Sequence, residues 1–140
     1  MTAEDEHRLL RATSVTIRTR GRRTGRSHTV VVWFAYRDGI AYVLAHAGEH
    51  GRGTDWYQNL MAAGEAEIEA GGVRFQACPV VCAEARQAVV KIVRMLENKY
   101  GNGAVQSWYT PGARIPVCLE LTGLQHQPGR TPPCPRQRAS

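Results

Sequence analysis

An α+β fold built on an antiparallel barrel or strongly curled sheet is what this sequence predicts. Three observations predict it. Short strand-like runs are separated by tight turn signals, two pairs of consecutive runs are joined as hairpins, and only one long stretch carries helical periodicity. Parallel winding does not fit, because hairpin turns link antiparallel neighbours. At 140 residues the chain is the size of one domain, and 43% hydrophobic residues suffice for a core.

Residues 1–12 read as an amphipathic lead-in whose apolar handle is Leu9, Leu10 and Ala12. Val15-Thr-Ile-Arg-Thr-Arg20 alternates and is rich in β-formers, so a strand is expected. Residues 29–36 are apolar on both faces and read as one central strand. Asp38-Gly39 then signals a type I′ hairpin into the strand 40–46. Thr54 or Asp55 caps a short helix that Gly64 closes. Glu65-Ala-Glu-Ile-Glu-Ala70 turns at Gly71-Gly72 into the strand 73–81, where Pro79 implies an edge position or a bulge. Ala88, Val89, Ile92, Val93 and Leu96 recur at 3.6-residue spacing and predict a helix over 85–100, with another turn over 102–108. A last strand runs over 115–122. About six strands result. The domain reading is a lead-in over 1–12, the barrel over 13–123 and a loose Pro/Arg-rich tail over 124–140.

The formal net charge of +6 points to an acidic ligand or partner, and much of the excess is local. Gly21-Arg22-Arg23-Thr24-Gly25-Arg26 packs arginines into a turn between strands. Glycines let the backbone approach a ligand closely, and arginine forks suit phosphate and carboxylate. Gly51-Arg52-Gly53-Thr54 runs into a helix start, where free N–H groups and the helix dipole attract anions. Trp56 and Tyr57 follow directly and offer flat surfaces to a ring. The clustering favours a local anion site over a nucleic-acid face, although a small basic barrel that binds single strands is a competing reading.

His46, Glu49 and His50 spell a metalloprotease-like H-x-x-E-H, but that motif needs a helix and the flanking glycines break one. No metal is expected. Cys78, Cys82, Cys118 and Cys134 show no zinc-like pairing and read as free thiols in a reducing cytosol. No apolar h-region follows Met1, and the longest apolar run, 30–35, is too short to span a bilayer, so a cytoplasmic protein with no membrane span is expected. No nucleophile elbow, P-loop or dinucleotide fingerprint appears, which suits an enzyme whose cofactor carries the reaction.

The run Ile17-Arg-Thr-Arg-Gly-Arg-Arg-Thr-Gly-Arg26, the Asp38-Gly39 hairpin, Thr54-Asp-Trp-Tyr-Gln-Asn-Leu60 and Arg114-Ile-Pro-Val117 resemble the deazaflavin-dependent nitroreductase family over roughly residues 13–122. The resemblance implies a split β-barrel related to FMN-binding oxidases of the pyridoxamine-phosphate type. It implies hydride transfer from reduced coenzyme F420, a deazaflavin with a phosphate and oligoglutamate tail, to quinones, enones or nitroaromatics.

Carried over by residue, the resemblance puts the phosphate and tail on Arg22, Arg23 and Thr24. His28, Thr29, Val30, Val31, Val32 and Trp33 would flank the deazaflavin, with Leu44, Ala45, His46 and Ala47 on a neighbouring strand. Asp55, Trp56, Tyr57, Gln58 and Asn59 complete the groove. The family prototype has a lysine where this chain carries Ala47, and Arg52 offers a charge nearby. His46, Tyr57, Tyr100 and Trp108 are the residues expected to shape the substrate site and to act in catalysis. A second reading keeps the barrel but fills it with FMN, haem or a lipid-like molecule, with or without catalysis. The oligomeric state is left open, a homodimer included.

Overall fold

The computed structural model describes residues 2–47, 52–82, 84–108 and 114–124, and among these the side chains of all but 85, 106–108, 123 and 124. Seven strands form one antiparallel sheet: β1 (Val15–Arg20), β2 (Ser27–Val32), β3 (Ala35–Arg37), β4 (Ile40–His46), β5 (Ala66–Ala70), β6 (Val73–Val80) and β7 (Arg114–Leu124). Four helices accompany them: α1 (Ala3–Arg11), α2 (Asp55–Ala63), α3 (Ala85–Tyr100) and α4 (Asn102–Trp108). The strand order is β2-β1-β5-β6-β7-β4-β3.

That order closes the sheet. β2 and β3 are its two outermost strands, yet only Trp33 and Phe34 separate them in the chain. Three Cα steps from Val32 to Ala35 reach at most about 11 Å. The two edges therefore meet at this corner, and the sheet must curl into a barrel.

The single central strand expected over 29–36 is corrected here. The stretch is two edge strands joined by a corner. Its apolar residues point to different places: Phe34 and Tyr36 enter the barrel core, Ala35 faces a second cluster under α3, and Val31 is 63% exposed. An apolar run of this length looks the same whether it crosses a sheet centre or turns between two edges.

Both hairpin signals are met. Asp38 and Gly39 have φ of 50° and 84°, and Gly71 and Gly72 have 60° and 81°, the paired positive values of type I′ turns. Pro79 finds both of its expected accommodations. The β6–β7 ladder slips between Gln76 and Ala77, and β5 pairs with β6 only as far as Ala77, so Pro79 has a strand on one side alone.

α1 carries a capping box, with Thr2 Oγ1 accepting from Asp5 N at 3.1 Å and Thr2 N donating to Asp5 Oδ2 at 3.2 Å. The helix is docked against the barrel: Leu9 is fully buried in the core, and the Tyr36 hydroxyl donates to Glu6 Oε1 at 3.0 Å. A Cβ on Gly71 would lie 2.7 Å from the Arg8 carbonyl oxygen, so the close crossing of α1 over this hairpin requires glycine.

The barrel interior is filled by Val15, Ile17, Phe34, Ile68, Phe75 and Leu119, among others, and Leu60 of α2 joins them. A smaller cluster of Ala35, Leu44, Ile92, Leu96 and Val105 seats α3 and α4 on the outside of the wall. Cys78 is disulfide-bonded, whereas Cys82 and Cys118 are free thiols. The expectation of four free thiols is thus corrected at Cys78; Cys134 lies outside the described residues. Nothing in the spacing of the cysteines signals which of them pair. Among the described residues no helix is long and apolar enough to cross a membrane.

Candidate active site

One end of the barrel gathers the turn between β1 and β2, the start of α2, the end of β4 and the start of β7. The ladders put them there: Arg20 pairs with Ser27 at the turn, and His46 pairs with Arg114. The turn 21–26 is closed on itself. Gly21 N donates to Arg26 O at 2.7 Å, Gly25 N donates to Gly21 O at 2.9 Å, and Arg26 N donates to Thr24 Oγ1 at 3.2 Å. Thr24 is thereby a turn-forming residue. A Cβ on Gly21 would meet the His28 ring at 2.8 Å, so that ring covers the turn's backbone.

Arg22 pins the turn to α2. Asn59 Oδ1 accepts from the Arg22 backbone N–H at 3.2 Å and from its guanidinium at 2.7 Å, while Asp55 Oδ1 lies 3.5 Å from the guanidinium. Asn59 is 3% exposed and the Arg22 side chain 23% exposed. A charge-assisted bond to a buried amide is the strong kind. Arg22 is therefore first a strut between turn and helix. Arg23, Arg26 and Arg52 are exposed, and among the described residues they form no ion pair.

The start of α2 is held by backbone bonds. Gly53 N donates to Ala47 O at 2.6 Å, Thr54 N donates to His46 O at 3.2 Å, and Gln58 Nε2 donates to Gly53 O at 2.8 Å. Gly53 has φ of 95°, and the Tyr57 ring occupies the place of any side chain there, with Cγ 3.0 Å from an ideal Cβ. Thr54 sits at the N-cap without capping the helix. Its hydroxyl is buried and lacks a hydrogen-bond partner. The hydroxyl thus stays unsatisfied at a helix start whose first N–H groups also have no helical acceptor.

Tyr57 links this polar end to an apolar one. A cavity of about 310 Å³ lies between α2 and the β6–β7 edge, walled by Tyr57, Met61, Val81, Ile115 and Pro116. Trp56 meets Tyr57 edge-on, with centroids 6.5 Å apart, and packs half-buried on the barrel core. Tyr57 thus borders both the start of α2 and the apolar cavity.

The remaining residues singled out in the sequence are scattered. Thr29 is exposed, Val30 and Val32 pack half-buried on the core, and Leu44, Ala45 and Ala47 are buried. Ala47 acts through its carbonyl at the neck of the loop. His46 is exposed. Trp33 and Tyr100 stand at the far end of β1 and β2, about 17 Å of strand away from the turn. There their rings stack at 4.3 Å, and the Tyr100 hydroxyl donates to Thr13 O at 2.8 Å. The structure does not bring Tyr100 to the Arg22–Asn59 end. The Trp108 side chain, Glu49 and His50 lie outside what the structure describes. Among the described residues no cluster of ligands could hold a metal ion.

Sequence reasoning missed Met61 and Ile115, because only the tertiary fold brings α2 beside β7. It also missed Lys99. This cation donates to Phe34 O at 3.0 Å and lies 3.8 Å over the Phe34 ring, and burial pushes it down to about 8.

The model of one family, the F420H(2)-dependent quinone reductases, matches residues 2–121. The chain belongs to this family. As a family member it is an oxidoreductase whose cofactor is coenzyme F420, and it passes hydride from the reduced cofactor to an electron-poor small molecule. No protein of curated function matches the chain. Among solved structures, the conserved hypothetical protein Rv2991 from Mycobacterium tuberculosis is 15% identical with a TM-score of 0.67, covering 89% of this chain and 82% of that one. An F420 reductase is 14% identical with a TM-score of 0.61, over 87% of this chain and 96% of that one. A putative pyridoxamine 5′-phosphate oxidase from Listeria innocua is 7% identical with a TM-score of 0.62, over 87% and 94%. At such identities these likenesses speak for the fold, and the split barrel expected from the sequence is the fold they share.

Proposed function

We propose that the turn 21–26 and the start of α2 hold the acidic tail of F420, and that the Tyr57 cavity receives the flat partner in the reaction, a quinone in this reading. One observation carries the proposal. Arg22 is locked to Asn59 in a way that fixes the basic turn against a helix N-terminus whose Thr54 hydroxyl is orphaned. Arg23, Arg26 and Arg52 are the cations free to meet phosphate and carboxylate, and the N–H groups of the first α2 turn add directed donors. The residues present therefore suit the tail of this cofactor.

When bound, F420 supplies the hydride chemistry. The chain's own residues then bind and orient. Tyr57 sits where tail seat and apolar slot join, so its ring sets how a planar molecule enters. Met61, Ile115 and Pro116 keep water from that slot.

Fluorescence titration of F420 tests the assignment. Arg23→Ala combined with Arg26→Ala is expected to weaken F420 binding by about 10- to 100-fold, the loss of one or two charge-assisted contacts, with thermal stability unchanged. Unaltered affinity in that variant would rule out the proposed tail seat.

A further inference from the structure

Cys82 follows β6, and Cys118 lies on β7, where it pairs with Val80. The fold thereby brings two free thiols onto the walls of the same two cavities. Two cavities meet at the pair. The Tyr57 cavity is one, and the other, of about 280 Å³, is lined by Tyr42, Lys91 and Ile92; both thiols line both. Cys82 is half-exposed and reachable from these cavities, while Cys118 is 8% exposed.

The two sulfurs are not equivalent. Cys118 supports a thiolate at Cys82 by hydrogen bonding, and the Lys91 ammonium, itself 5.4 Å from the Tyr42 ring centroid, adds positive charge. These hold the Cys82 thiol below the ordinary thiol range, whereas interaction with Cys82 and burial push the Cys118 thiol above that range. The segment that delivers Cys82 is also free on one side, because β5 ends opposite Ala77. It can shift toward β7 without breaking a ladder on its other edge.

We propose that Cys82 and Cys118 form a peroxide-responsive dithiol, with Cys82 the attacking sulfur and Cys118 the resolving one. The Cys82 thiolate attacks a hydroperoxide. A sulfur–oxygen bond forms, the O–O bond breaks, and the departing oxygen takes a proton to leave as water or an alcohol. The Cys118 sulfur then attacks the sulfenic acid. The S–S bond forms, the S–OH bond breaks, and the hydroxyl leaves as water with the proton from Cys118. Two thiols lose two electrons and one peroxide gains them. The bridge ties the stretch after β6 to β7 across the wall of the Tyr57 cavity. The dithiol stands apart from the tail seat and does not depend on it.

The test treats the full-length protein with a slight excess of hydrogen peroxide and maps its peptides by mass. A Cys82–Cys118 bridge is expected. In Cys118→Ala, dimedone is expected to label Cys82 as the trapped sulfenic acid; in Cys82→Ala, Cys118 is expected to stay unlabelled. In folded wild type, iodoacetamide should modify Cys82 well ahead of Cys118, a measurement that needs no variant. Lys91→Gln should slow alkylation of Cys82 by about threefold, through a smaller thiolate fraction. Absence of the bridge, or labelling of Cys118 ahead of Cys82, overturns the proposal.

Discussion

Asn59 Oδ1 accepts two hydrogen bonds from Arg22, one from the backbone at 3.2 Å and one from the guanidinium at 2.7 Å. A single buried amide oxygen thereby fixes the basic turn against α2. Asn59→Leu removes the acceptor and leaves both Arg22 donors beside an apolar group. A stability loss of about 1–3 kcal/mol is expected, the usual cost of stranded partly buried donors. F420 affinity should fall with it, and Asn59→Asp should restore most of both. Urea unfolding and fluorescence titration on the same samples check the pair. An affinity unmoved by Asn59→Leu would mean that the strut does not serve the cofactor.

Gly53→Ala is expected to be worse than a loop substitution ordinarily is. The residue has φ of 95°, and the Tyr57 ring fills the space a methyl would need. Positive φ on a non-glycine residue costs about 1–3 kcal/mol, and the clash adds to it. Tyr57→Ala in the same chain should recover only the steric part. A double-mutant cycle by thermal unfolding separates the two, and additivity would show that ring and glycine do not meet.

Alkaline stability should be non-monotonic. Lys99 titrates at about 8 in the folded protein against 10.5 in the open chain, because burial disfavours its charge. Between these values the unfolded chain holds more protons, so stability rises with pH from about 8 toward 10. Tyr36, Tyr42 and Tyr100 are raised above 10 by burial, so the folded state keeps protons the unfolded chain has lost. Above 10 stability therefore falls. Lys99→Met should erase the rise and leave the fall. Chemical unfolding across this range reads both limbs.

Tyr100→Phe keeps the stack on Trp33 and removes the hydroxyl that donates to Thr13 O. A loss of about 1 kcal/mol is expected, with Tyr100→Ala costing about 3 kcal/mol or more by adding a cavity. Equal losses in the two variants, measured by urea unfolding, would show that the ring contributes nothing.

Most elements were legible in the sequence because their signals are local. The paired glycine and aspartate turns, the helical spacing of Ala88, Ile92 and Leu96, and the closure of α2 at Gly64 each need only near neighbours. The arginine turn and the start of α2 were legible for the same reason, since both are short motifs. What the sequence hid was long-range. No local pattern tells that residues 29–36 bend between two sheet edges, or that Arg22 spends its best donors on Asn59. Tyr100 was assigned a place by resemblance, whereas the fold anchors it at Thr13. The cavity under Tyr57 and the meeting of Cys82 with Cys118 arise from strands far apart in the chain.

The place of β7 between β6 and β4 makes this strand the keystone of the barrel. Before residues 114–124 emerge during synthesis, the nascent chain can hold only two separate half-sheets, β2-β1-β5-β6 and β4-β3, hinged at Trp33 and Phe34. Each carries an open edge awaiting the same partner. A chain stalled short of Arg114 should bind chaperones and lack cooperative unfolding, and release of the final segment should restore it. For this protein, closing the barrel is an event that waits on β7.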